Sequence, residues 1–206
     1  EVYGNRAGNY CGGVYIHLGA VSNCVIFNNS APSYAGGCYL AGDGILCNSL
    51  VYSNRLTSGS SLNRGGGVCA VGGSILNCTL AANRDVSGYN GLSCTNATKT
   101  VPVVNTIIVS NSVYDGVIQA AFSNCCLEST AGLNATDCLT DNPRFVNYAA
   151  GNFRLRPASP CVDRGLFMDW MTGAPDLDGG PRIRHGAVDL GPYELLKIAG
   201  AIFTGR

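Results

Sequence analysis

The chain is patterned in short units, each a run of β-branched and aliphatic residues closed on both sides by asparagine. Segments "NCVIFNN" (23–29), "NSLVYSN" (48–54), "NCTLAAN" (77–83) and "NTIIVSN" (105–111) carry Asn at their first and seventh positions. A fifth copy, "NCCLEST" (124–130), keeps only the first. Glycine-led runs precede three of them, "GGVYI" at 12, "GGCYL" at 36 and "GGVCA" at 66, with "GLSC" at 91 as a degraded version. First-Asn spacings of 25, 29, 28 and 19 residues, turn glycines and no helical periodicity predict a parallel β-solenoid. A leucine-rich repeat would need regularly spaced leucines and a helical half-repeat, and neither is present.

In such a stack, equivalent residues lie about 4.8 Å apart on successive rungs. Asn23, Asn48, Asn77, Asn105 and Asn124 then form one ladder, and Asn29, Asn54, Asn83 and Asn111 the other. Asparagine amides can hydrogen-bond along the axis, and asparagine tolerates the left-handed backbone of tight turns. Between the ladders, Cys24/Ile26, Ser49/Val51, Cys78/Leu80 and Thr106/Ile108 are assigned inward. The alternate positions, such as Val25/Phe27 and Leu50/Tyr52, are also apolar, which leaves the opposite phase open and implies a cover on the outer face. Cys24 and Cys78 share a column two rungs apart, beyond disulfide reach. Cys38 with Cys47 and Cys69 with Cys78 are the candidate disulfides, with Cys126 and Cys138 a looser one. Insertions such as "RLTSGSSLNRG" (55–65) become loops.

Composition narrows the function classes. Only 13% of 206 residues are charged and the formal net charge is zero, so no electrostatic footprint for nucleic acid or an anionic membrane exists. The longest apolar run, 198–203, is too short to span a bilayer, so no membrane insertion is expected. Eleven cysteines without CxxC spacing, beside only His17 and His185, point to an exported chain with some disulfides rather than a zinc or redox site. The alternative is that cysteines simply fill a narrow core. The first residues are polar and show no signal peptide, which reads as a mature form or a fragment.

Beyond residue 138 the repeat stops. The stretch "DNPRFVNYAAGNFRLRPASPCVDRG" is followed by "DLDGGPRIRHGAVDLGPYE". Residues 138–194 resemble the end segment of bacterial surface and secreted β-helix proteins of the choice-of-anchor type. Asn142, Pro143, Phe145, Ser159, Pro160, Asp163, Asp176, Asp178, Gly179, Arg182, Asp189, Tyr193 and Glu194 carry that match. The resemblance implies a right-handed parallel β-helix on a cell surface or outside the cell. Cys161 stands where alanine is usual and suggests an extra tether, with Cys138 as a partner. Physically the segment reads as a cap over the open end of the solenoid, held by a network of Asp163, Asp178, Arg182 and Asp189. A calcium site at Asp176 and Asp178 is the weak alternative, since calcium normally takes more oxygen ligands. No other cofactor is expected.

The resulting division is 1–137 for coils, 138–194 for the cap segment and 195–206 for an apolar tail, a candidate extra strand. The expected function is structural or adhesive and non-catalytic. An exposed first rung and a spare strand would permit head-to-tail pairing into filaments; the plainer alternative is a fragment of a longer solenoid. The rival class is a polysaccharide lyase or glycoside hydrolase, or a carbohydrate-binding fragment of a larger β-helix. Within 12–136 the acids are Asp43, Asp85, Asp115 and Glu128, against Arg55, Arg64, Arg84 and Lys99. Arg55 and Arg84 each follow a second-ladder asparagine and would stack on one edge near Asp85. His17 and His185 read as structural, the latter in a hairpin turn. Trp170 and Met171 read as a lid on the last coil rather than a sugar platform. The sequons at Asn28, Asn77, Asn96 and Asn134 matter only in a glycosylating host.

Overall fold

A computed structural model describes residues 1–58, 64–86, 91–94, 99–110 and 119–196. The chain is an all-β parallel solenoid. Three stacked sheets run its length. The first contains Val2–Tyr3, Val25–Phe27, Leu50–Tyr52, Thr79–Ala81, Ile107–Val109 and Cys126–Leu127, all parallel and in sequence order. The second contains Val14–Ile16, Cys38–Leu40, Val68–Ala70 and Leu92–Ser93. The third runs from Ala20–Ser22 through Ile45–Cys47, Ser74–Leu76, Val101–Val104 and Ala120–Ser123 to Asn134–Thr136. Leu139 still bridges to Cys126, so the last coil closes just past the expected boundary at 137.

The register resolves the phase. Ile26 pairs with Val51, Val51 with Leu80, and Leu80 with Ile108, and all four are fully buried in the central core. The small residue ahead of Val51, Leu80 and Ile108, and its equivalents on the last two coils, has a hydrogen-bonding reason beyond the taper of the interior. Ser49 Oγ, Cys78 Sγ, Thr106 Oγ1, Cys125 Sγ and Cys138 Sγ each donate to the carbonyl two residues earlier. Thiol and hydroxyl are interchangeable there because the corner needs a short donor, which accounts for cysteines that bond to nothing covalently.

The two asparagine columns have different jobs. In the second, Asn29 Oδ1 accepts from the backbone and side-chain nitrogens of Asn5, at 3.1 and 2.9 Å. Asn54 Oδ1 accepts both from Asn29 at 3.0 Å, and Asn83 Oδ1 both from Asn54 at 3.0 Å. The spare amide hydrogens of Asn29, Asn54 and Asn83 go to the carbonyls of Val2, Ile26 and Val51. Asn5 thus heads a column that the repeat alone did not include, while Asn111 lies outside the described residues. The left-handed residue at this corner is the one before the asparagine: Asn28, Ser53, Ala82 and Ser110 have φ of 53°, 54°, 52° and 50°. The glycine runs pack against this column. A Cβ on Gly37 would sit 2.8 Å from Asn54 Nδ2, and one on Gly67 2.6 Å from Asn83 Nδ2.

In the first column the asparagines themselves are left-handed, with φ of 51°, 45°, 50°, 52° and 49° at Asn23, Asn48, Asn77, Asn105 and Asn124. Asp137 takes the same conformation on the last coil. One amide bond joins neighbours here, Asn105 Nδ2 to Asn77 Oδ1 at 3.3 Å. The side chains otherwise turn outward to the C-terminal segment. Asn23, Asn48, Asn105 and Asn124 donate to the carbonyls of Asp176, Pro175, Leu166 and Arg164.

Residues 138–194 therefore lie along the flank rather than across the open end, correcting the cap expectation. An antiparallel hairpin of Phe145–Asn147 and Asn152–Leu155 begins this cover. Phe145, Phe153, Leu155, Cys161, Leu190 and Tyr193 pack on the outward residues Leu50, Ala81, Ile107 and Cys126 of the first sheet. The reason is visible in the sheet: its outward positions are apolar, and leaving them in water would cost about 25 cal/mol per Å².

The expected disulfides are corrected by facing. All eleven cysteines are free. Cys38 and Cys78 point into the central core, whereas Cys47 and Cys69 alternate with the core residues Leu46 and Val68 and point away. Each C-x8-C pair is thus split across the wall of the coil. Cys126 faces the outer cluster and Cys138 the inner one, so that pair is split too.

Candidate functional site

The second sheet is a flank the C-terminal segment leaves open, and its first two rungs carry a tyrosine cluster. The segments "YCGGVY" (10–15) and "YAGGCY" (34–39) repeat the same Tyr-x-Gly-Gly-x-Tyr frame. Cys11 bridges to Ala35, and Tyr15 pairs with Tyr39, so the frame stacks in register. Tyr10 and Tyr34 lie face to face, centroids 4.5 Å apart and planes within 8°. Tyr34 meets the edge of Tyr39 at 5.5 Å, and Tyr39 meets Tyr15 at 5.3 Å. His17 flanks the cluster, its Nδ1 3.5 Å from the Tyr15 hydroxyl. Tyr10 is 56% exposed and Tyr15 61%, beside Leu18 at 71%. The Tyr34 hydroxyl is pushed up by its hydrogen bond to Tyr10, and burial pushes Tyr39 up to about 12, so both stay protonated donors at physiological pH.

The cluster ends at the third rung. There Arg64 and Cys69 occupy the positions of Tyr34 and Tyr39, and Cys69 is buried. A unit counted from its glycines leaves out Tyr10 and Tyr34 and so hides the paired tyrosines. Their doubled spacing around Gly-Gly was the available signal.

A comparable aromatic row on the first sheet is covered at one end only, with Tyr3 still 59% exposed. Tyr3 stacks on Phe27 at 4.9 Å and Phe27 on Tyr52 at 5.1 Å, but Tyr52 then meets Phe153 of the hairpin at 5.3 Å.

The predicted polar network of the C-terminal segment regroups. Arg182 is fully buried, with Nη2 donating to the carbonyls of Asp189 and Gly191 and Nη1 3.3 Å from Glu194 Oε1. Asp189 Oδ1 accepts from Asp163 N–H and Oδ2 from Leu195 N–H. Glu194 and Asp176 thus join Arg182 and Asp189, while Asp163 contributes a backbone N–H from an exposed position. Burial pushes the Glu194 carboxyl up to about 8 despite the opposing pull of Arg182, and pushes Asp189 up as well. Asp178 joins through its backbone N–H, while its carboxylate points away into a half-exposed pair with Arg154, which also lies over the Tyr193 ring. Asp176 Oδ1 accepts from Asp178 and Gly180 N–H, and Oδ2 from Glu194 N–H. Its carboxylate is already used in closing a turn, and among the described residues no cluster of three potential ligands forms.

Other candidates are dispersed. Arg55 and Arg84 are bridged neighbours, which makes a short basic edge. His185 is exposed at the tip of a hairpin, with φ of 53° followed by Gly186 at 77°. Met171 is buried beneath the segment, and Trp170 is half-buried beside it. A groove of about 1270 Å³ opens between the last coils and the hairpin, lined by Glu128, Asp141, Arg144 and Arg156 among others. Glu128 there accepts from Ser110 N–H, and the arginines donate to the carbonyls of Ala158 and Val146.

No protein-family model matches this chain, and no curated protein or solved structure matches it significantly.

Proposed function

We propose that this protein is a non-catalytic adhesive solenoid of the cell exterior that holds carbohydrate on its tyrosine face. The four-ring cluster of Tyr10, Tyr15, Tyr34 and Tyr39 carries the reading. Tyrosine offers an apolar ring to the C–H face of a sugar and a hydroxyl to its oxygens. The rungs hold these rings in place before any ligand arrives, which lowers the ordering cost of binding. The four tyrosines bring no formal charge to the cluster, so it suits a neutral glycan better than a uronate. The resemblance of residues 138–194 to choice-of-anchor segments supports a bacterial surface or secreted setting.

Co-sedimentation with insoluble cellulose, chitin and mannan, and affinity electrophoresis in soluble xylan and polygalacturonate, test this. Retention by at least one neutral polysaccharide is expected, with Tyr15→Ala/Tyr39→Ala weakening it about tenfold, the equivalent of about 1.4 kcal/mol. Equal retention of wild type and variant, or none by any neutral glycan, would refute the tyrosine face as the site.

One observation favours a second reading, polysaccharide cleavage: Glu128 and Asp141 line the same groove. Release of reducing ends or unsaturated uronate that Glu128→Gln abolishes would establish it instead.

A further inference from the structure

We propose that the C-terminal end carries two oxidisable dithiols, Cys125 with Cys138 and Cys126 with Cys161, whose disulfides fasten the last coil and the flank segment to the solenoid. The inference stands apart from the carbohydrate reading and concerns different residues.

The first pair follows from the corner column. Cys24, Ser49, Cys78, Thr106, Cys125 and Cys138 occupy equivalent positions on successive coils, each after a left-handed residue. In the earlier coils a hydroxyl residue separates every two cysteines. Only at the last two do cysteines fall on adjacent rungs. Leu139 N–H donates to Cys125 O at 2.7 Å and Leu139 bridges Cys126, so Cys138 lies directly over Cys125. A rung spacing of about 4.8 Å is within the Cα range of a disulfide. The two thiols are close enough to perturb each other's ionisation in opposite directions.

The second pair lies on the other side of the same strand. Cys126 faces the outer cluster, where Cys161 is buried with it, and the two thiols are close enough to perturb each other's ionisation. Cys161 is held by Ser159 Oγ at its N–H and by Leu190 N–H at its carbonyl. A bond here would tie the middle of the flank segment to the coil it covers.

The chemistry needs an external disulfide as oxidant. Cys138 is half-buried, and the neighbouring Cys125 thiol lowers it to about 7, so it is the entry point. Its thiolate attacks one sulfur of the incoming disulfide, forming a mixed disulfide and releasing one thiolate. Cys125 loses its proton to solvent and attacks the Cys138 sulfur, releasing the second thiolate. Two electrons pass from the cysteine pair to the oxidant, and the released thiolates take up protons. Cys126 and Cys161 react by the same steps, more slowly, because both are fully buried and need local opening.

The test uses the full chain, reduced and then equilibrated with oxidised glutathione, quenched with iodoacetamide and mapped by mass spectrometry. Four thiols should be lost, Cys138 among the first, and the melting temperature should rise by several degrees and fall again with dithiothreitol. Because Cys125 and Cys126 share a peptide, Cys138→Ser and Cys161→Ser assign the links. The former should retain only Cys126–Cys161, the latter only Cys125–Cys138. Any other pairing, including a vicinal Cys125–Cys126 bond, or an unchanged thiol count in the folded protein, would overturn the proposal. Should a variant fail to fold, the order of thiol loss in the wild type, with Cys138 alkylated fastest by limiting iodoacetamide, gives the same decision.

Discussion

The two asparagine columns use one residue type for opposite ends. The column of Asn29, Asn54 and Asn83 looks inward, and its amides pair with each other and with the carbonyls of the neighbouring coil. The column of Asn23, Asn48, Asn105 and Asn124 uses asparagine for its left-handed backbone and offers its amide to the flank segment. One column seals the solenoid; the other attaches its cover. The lesson is that a repeated residue marks a repeated backbone problem, whose solution depends on what stands beside it.

The sharpest way to break the inner column is Asn54→Ala. It takes the Asn54 oxygen from both the backbone N–H and the side-chain amide of Asn29, and a donor from the carbonyl of Ile26, all buried. A loss of about 3–5 kcal/mol in urea unfolding is expected, at about 1–3 kcal/mol per orphaned group. Asn54→Gly should be no milder, because its own backbone is not left-handed.

At Asn105 the order should reverse between substitutions. Asn105→Ala loses both bonds to Leu166 and places alanine at φ of 52°, for a total of about 2–4 kcal/mol. Asn105→Gly keeps the backbone and should cost about 1 kcal/mol less. Both variants should speed proteolysis within 138–194 more than in the coils. Equal costs for Ala and Gly would remove the distinction between the columns.

The cover should also be the pH-sensitive part. Burial holds the folded Glu194 pKa at about 8 against an ordinary 4.5. The folded state therefore keeps a proton that the unfolded chain releases. That stability is complete below about pH 4.5 and is lost as pH rises through about 8; the raised Asp189 pKa acts in the same direction. Melting temperature should fall between pH 5 and 8.5, and Glu194→Gln should flatten the decline.

The smallest effect is a gain. Ala82 sits at φ of 52° before Asn83, where other coils place Asn28 or Ser53. Ala82→Gly should relieve about 0.5–1 kcal/mol, read as a small rise in the denaturation midpoint.

The solenoid and both columns were legible because a period of matched asparagines is a local signal repeated many times. The inward set Ile26, Val51, Leu80 and Ile108 was legible as well, although its phase needed the fold. The tyrosine frame was legible in principle, since Tyr10/Tyr15 and Tyr34/Tyr39 keep one spacing around Gly-Gly. The C-x8-C pairings failed because spacing along a strand does not say which wall a cysteine faces, and Cys38 and Cys47 face opposite ways. Glu194 was absent from the expected network because its role depends on burial beside Arg182, a contact between turns. The apolar tail, read as a spare strand, lies outside the described residues beyond Leu196.

By itself, then, the sequence determined the rung: where the chain turns, which residues turn it, and that successive turns stack. Only the tertiary structure decided which flank would be covered and which left open, and which cysteines would meet. A turn is selected by nearest-neighbour sterics and local hydrogen bonds. The cover is selected by matching one apolar surface against another far away in the chain, and no local spacing encodes that match.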